Sequence, residues 1–135
     1  MSLGYGGWCY IAVQDERTVI YQYGSYDLNN PDYRNTEHIC DGTITIDKTT
    51  LVKPEIHKKL KCFPNGKKKL IIKRIAVDVP YKELLENGHL KIQNSKNCWR
   101  ITEDGNDYIA WCLVWNIFSE YQNTGNIPDK VSYNV

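Results

Sequence analysis

The chain is predicted to fold as α+β, a mostly antiparallel sheet packed around a buried C-terminal helix at about residues 104–122, with two short additional helices. Three observations carry this. Two β-branched and aromatic runs, 8–13 and 18–23, flank a short polar turn. Residues 43–47 alternate with period two. A third segment, near the C-terminus, is apolar around most of a helical circumference.

Taking the elements in order, Trp8-Cys9-Tyr10-Ile11-Ala12-Val13 and Thr18-Val19-Ile20-Tyr21-Gln22-Tyr23 read as a hairpin closed by Gln14-Asp15-Glu16-Arg17. Residues 25–37 hold turn chemistry, with Asp27, Asn29, Asn30, Pro31 and Asp32 together. A strand follows over 39–47, with Ile44 and Ile46 on one face. Lys53-Pro54-Glu55 resembles a helix start, with Pro at the first turn and an acid at the positive end. Ile56, Leu60 and Phe63 would then face inward, and Pro64-Asn65-Gly66 would stop the helix. Residues 70–77 read as a strand, and Asp78-Val79-Pro80 opens a second short helix that Asn87-Gly88 closes. Short strands are expected at 89–93 and 98–102, and a last edge strand at 131–135.

The main helix takes Thr102, Asp104 and Asp107 as its capping and early acidic residues, with Gly125 and Pro128 past its end. Tyr108, Trp111, Cys112, Trp115 and Ser119 form one stripe. Ala110, Leu113, Val114, Ile117 and Tyr121 fill much of the rest. Burial on several sides follows, so Trp111→Ala is expected to cost about 3–5 kcal/mol.

One hundred and thirty-five residues make one domain, taken as 4–135 with residues 1–3 as a candidate expression leader. The longest apolar run, Ile109 to Trp115, falls far short of the ~18 residues that span a bilayer. Five widely spaced cysteines, an odd number, fit free thiols in a reducing cytoplasm. Abundant Lys, Asn, Ile and Tyr fit an AT-rich bacterial genome.

The net charge of +1 hides segregation. Residues 53–74 hold nine Lys or Arg against Glu55 alone, and residues 1–47 hold two Arg against seven acids. Lys58, Lys59, Lys61, Lys67, Lys68 and Lys69 are therefore a candidate anion-binding set for nucleic acid or phosphate. The bland alternative is a solvated face. With ten Tyr and four Trp against two Phe, the acidic N-terminal segment suits protein recognition. Its candidate contact residues are Tyr21, Tyr23, Tyr26, Asp27, Asp32 and Tyr33.

Catalytic and cofactor signatures are missing from the sequence: no phosphate-binding glycine loop, nucleophile elbow or zinc-protease pair. His38-x-Cys40 with His57-x4-Cys62 is a poor zinc spacing. His38 and Cys40 would approach one another if extended, which keeps a cysteine nucleophile in view. Asp15-Glu16 and Glu103-Asp104 are explained by turns and a helix start. No cofactor is expected, and no membrane partner. The leading expectation is a small cytoplasmic protein-binding module, with nucleic-acid binding and unrecognised enzyme chemistry as alternatives. Bacterial immunity proteins that neutralise toxin domains share this size and class, though no motif of theirs is matched.

Overall fold

The computed structural model describes residues 4–51, 53, 55–75 and 77–134. Strands β1 (Tyr5–Gln14), β2 (Thr18–Asp27), β3 (Gly42–Asp47), β6 (Leu90–Gln93) and β7 (Lys130–Asn134) form one antiparallel sheet in the order β6-β3-β2-β1-β7. Strands β4 (Glu55–Cys62) and β5 (Lys68–Ile75) form a separate two-stranded ribbon. Helix α1 spans Tyr81–Glu86 and α2 spans Tyr108–Thr124.

One face of the sheet packs on α2. Period-two alternation sends Val19, Tyr21, Tyr23, Ile44 and Ile46 inward, where they meet Ile109, Leu113, Val114, Ile117 and Phe118. Two glycines permit this closeness. A Cβ at Gly7 would collide with the Ile109 side chain, and one at Gly42 with the Tyr23 ring. The predicted fold class is the observed one, with the helix four residues later at its start and two longer at its end.

Three expectations need correction. Residues 55–62 are a strand, so one short α-helix is present among the described residues, beside two 3-10 turns. Pro64-Asn65-Gly66 is the turn of the ribbon: Gly66 adopts φ +83°, and the Phe63 N–H donates to the Lys67 carbonyl at 2.8 Å. Pro54, the proposed first helical residue, lies outside the described residues, as do 1–3 and Val135. Residues 98–102 make only an isolated bridge, Ile101 to Asp107.

The third correction concerns α2. Its inward stripe is the aliphatic one, because branched aliphatic side chains interlock with the pleated sheet. The tryptophan stripe faces outward. Trp111 is half-buried, and Trp115 is 59% exposed. Asp107 alone supplies the N-cap, accepting from the Ile109 N–H at 3.0 Å. Gly125 closes the helix at φ +77°, donating its N–H to the Tyr121 carbonyl at 2.7 Å.

Candidate functional site

The acidic, tyrosine-bearing N-terminal surface divides in two. Tyr21 and Tyr23 are 0% exposed and belong to the core. The Tyr21 hydroxyl donates to the Pro128 carbonyl at 2.6 Å, tying β2 to the chain just ahead of β7. The Tyr23 hydroxyl donates to Asp107 Oδ2 at 2.9 Å and accepts from the Ser95 N–H at 2.8 Å. Burial pushes both phenols well up. Both are core side chains in the structure; a residue's place on a tyrosine-rich strand does not tell which face it occupies.

Asp107 is fully buried beneath this point, and desolvation holds its carboxyl above the usual range despite the hydrogen bonds that oppose the shift. Ser95 Oγ donates to Asp41 Oδ1, extending the network toward the surface. Cys98 lies beside Asp107, where burial first and the neighbouring carboxylate second push its thiol up to about 11. These groups satisfy one another, and they join β2, α2 and the 94–98 loop.

In the remainder of the predicted surface, Tyr26 borders a groove of about 600 Å³. Trp8 on β1 and Tyr26 on β2 form its floor with ring centroids 5.2 Å apart, and His38 packs against Trp8 at 4.9 Å. Leu28 and Arg34 rise from the connecting loop, and Ser132 and Asn134 from β7. The Tyr26 hydroxyl donates to Asn134 Oδ1 at 2.6 Å, which fixes the ring.

The turn-rich sequence folds the loop back through side-chain caps. Asp27 Oδ1 accepts from the Asn29 N–H at 3.0 Å, and Asn30 Oδ1 from the Asp32 N–H at 3.1 Å. Asn35 donates to the Ser25 and Ile39 carbonyls and accepts from the Ile39 N–H. Asn35 and His38 both sit in left-handed conformation, at φ +49° and +56°. Such positions cost about 1–3 kcal/mol each and gather where a surface is shaped for use. Arg34 donates from Nε to the Leu28 carbonyl at 3.3 Å and makes no ion pair among the described residues. Of the predicted contact residues, Tyr26 lines the groove. Asp27 is half-buried at its loop, Asp32 is exposed, and Tyr33 is half-buried with its carbonyl accepting from Asn97 at 3.0 Å. Trp8, Leu28, Arg34 and His38 were not foreseen; the crowded turn residues around them were the available signal.

His38 and Cys40 are not in the strand that would have aligned them. The Cys40 thiol donates to the His38 carbonyl at 3.7 Å, and burial together with Asp41 pushes it up, the reverse of what a nucleophile needs. His57 and Cys62 lie five residues apart on β4 and therefore point to opposite faces.

The lysine set is brought together on the β4–β5 ribbon, where every residue from 55 to 73 is exposed. Directly paired residues share a face, so the register sorts the side chains. One face carries Ile56, Leu60, Leu70 and Ile72, with Lys58 between Ile56 and Leu60 and with Cys62 and Lys68 at the turn end. The other carries Lys59, Lys61, Lys69 and Lys73, together with Glu55, His57, Ile71 and Ile75. Lys67 lies in the turn, and Lys61 Nζ stands 5.5 Å from the Phe63 ring beside it.

No helix among the described residues is long and apolar enough to cross a membrane. No known protein family, curated protein or solved structure shows significant similarity to this chain.

Proposed function

We propose that this protein is a protein-recognition module, and that the groove over Trp8 and Tyr26 is its contact surface. The partner inserts an apolar side chain between Leu28 and the ring of His38 and sets a carboxylate against Arg34. The supporting observation is the groove itself, in which three aromatic rings converge with a guanidinium that has no ion pair among the described residues, over a loop held by two left-handed residues. Rigid aromatic rings bury area at low entropic cost, and Arg suits bidentate carboxylate recognition. Covering a toxin's surface in the manner of an immunity protein is one form such recognition takes. The free thiols fit a reducing compartment, which supports a cytoplasmic setting.

Selection from a phage-displayed random heptapeptide library tests this. Enriched sequences should share an apolar residue near Asp or Glu, and Trp8→Ala and Arg34→Gln should abolish their enrichment. Equal enrichment on parent and Trp8→Ala protein refutes the assignment.

A second reading rests on the exposed lysines of β4–β5. As a polyanion-binding arm, the ribbon would bind labelled RNA or duplex DNA with an affinity falling steeply as salt rises. Fluorescence anisotropy at low salt with no binding removes that reading.

A further inference from the structure

Among the described residues, two apolar surfaces stand uncovered. The first is the ribbon face bearing Ile56, Leu60, Leu70 and Ile72, whose side chains are 54–57% exposed. A two-stranded ribbon is marginal in water unless something packs on it. The second runs along the outward face of α2, where Tyr81, Trp111, Cys112, Trp115 and Tyr133 line an almost wholly apolar groove. Past Tyr81 and Trp115 the groove continues to Val77 and Val79, at the root of the ribbon. There the Gln122 amide accepts from the Val77 N–H at 2.7 Å and donates to the Val77 carbonyl at 2.8 Å, so the root is tied to α2 itself.

Charge divides in the same way. The segment 53–74 carries about +8 by sequence count and the whole chain +1, so the remainder carries −7. The ribbon and the body are thus opposite in sign and each presents an unpartnered apolar strip.

We infer that the occupant of both surfaces is a second copy of this chain: each ribbon lays its aliphatic face into the partner's α2 groove. The exchange is reciprocal. Because the groove starts where the chain's own ribbon leaves, a two-fold axis satisfies both copies at once and closes the assembly as a dimer. Lys58 and Lys68, which share the aliphatic face, meet an acidic body, and the opposite face, with Lys59, Lys61, Lys69 and Lys73 beside Ile71 and Ile75, stays in solvent. A phosphate polymer would satisfy the lysines and leave the aliphatic strip bare. A flat apolar contact would satisfy neither the lysines nor the acidic body. Pairing of two ribbons face to face would set Lys58 and Lys68 of both copies together and leave Trp115 exposed.

Sedimentation velocity on the full chain tests the inference. The parent should sediment as a species of twice 15.7 kDa at micromolar concentration. Leu60→Gln/Leu70→Gln on the ribbon and Trp115→Gln in the groove replace exposed side chains without changing charge. Each should weaken association at least ~10-fold, a change of about 1.4 kcal/mol, with an unchanged circular-dichroism spectrum. Mixing the two variants leaves one intact ribbon facing one intact groove, and should restore a weaker heterodimer. Affinity should fall as salt rises. A parent that stays monomeric overturns the inference. So does a Trp115→Gln dimer as tight as the parent's, which assigns the contact to ribbon against ribbon. A monomer that co-sediments with phosphatidylglycerol vesicles, or shifts duplex DNA, also overturns it and gives the ribbon to that surface.

Discussion

Replacing Asp107 by Ala removes three things at one buried point. The α2 N-cap goes, at about 1–2 kcal/mol. The Tyr23 hydroxyl loses its acceptor, and an orphaned buried donor costs about 1–3 kcal/mol. A buried carboxylate that desolvation disfavours is also removed, which gives part of this back. The net expectation for Asp107→Ala is about 2–4 kcal/mol of destabilisation. Tyr23→Phe loses the same hydrogen bond from its other end and also leaves the Ser95 N–H unpaired, at about 1–2 kcal/mol. In the double variant the orphaned hydroxyl no longer exists. Its loss should therefore fall short of the summed single losses by about 1 kcal/mol or more. Urea unfolding followed by tryptophan fluorescence and circular dichroism measures all three. Additivity within ~0.5 kcal/mol would refute a direct hydroxyl–carboxylate link. The pH dependence gives an independent check. Because the folded-state pKa of Asp107 is raised, the native protein holds that proton more tightly than the unfolded chain. Its stabilising contribution is complete below the ordinary value of 3.8 and is lost as pH rises through the folded value. Asp107→Asn, which keeps a capping oxygen, should thus gain on the parent as pH rises through that interval. A constant difference would refute the buried charge.

The outward tryptophan and the inward aliphatic stripe of α2 should separate cleanly: at a dilution that keeps the chain monomeric, Trp115→Ala should cost under ~1 kcal/mol, and Ile117→Ala about 2–5 kcal/mol by thermal melt. Asp47 has its carboxyl held low, first by the Thr49 N–H, then by the Thr49 hydroxyl and His89. Its contribution is present above 3.8 and lost as pH falls through the lowered value, so the parent's advantage over Asp47→Asn should shrink on acidification. Brief iodoacetamide treatment at neutral pH, at a dilution that keeps the chain monomeric, followed by peptide mass spectrometry should find Cys62 modified first, because it is exposed. Cys9 should be modified last, because burial removes access and pushes its thiol up to about 12.

What the sequence made legible was local. The hairpin from Trp8 to Tyr26, the Ile44/Ile46 alternation, the Asn87-Gly88 stop and the apolar 108–124 helix each carry their own periodicity or cap. What it hid was relational. Ile56 and Leu60, four apart, fit a helical stripe as well as one strand face. Only the pairing of Leu60 with Leu70 decides between them, and that lies across a turn. The two stripes of α2 are both apolar, so periodicity could not say which one the sheet would accept. Tyr23 and Tyr26 look alike as letters, yet an odd separation along β2 sends one into the core and the other to the groove. The left-handed backbones at Asn35 and His38 left no trace in residue type beyond a turn-rich neighbourhood.

The pairing of β1 with β7 joins Gly6 to Asn134, nearly the whole chain apart. During synthesis, β1 precedes β7 by more than a hundred residues, so its outer edge must wait for β7 before it finds that neighbour. Until then, nascent β1 offers bare backbone amides beside Tyr10, an invitation to mispairing between crowded ribosomes. Late closure of this kind makes for slow folding, set by a long loop search. A circular permutant that splices β7 directly ahead of β1 should shorten that search and fold faster, with the native sheet order unchanged.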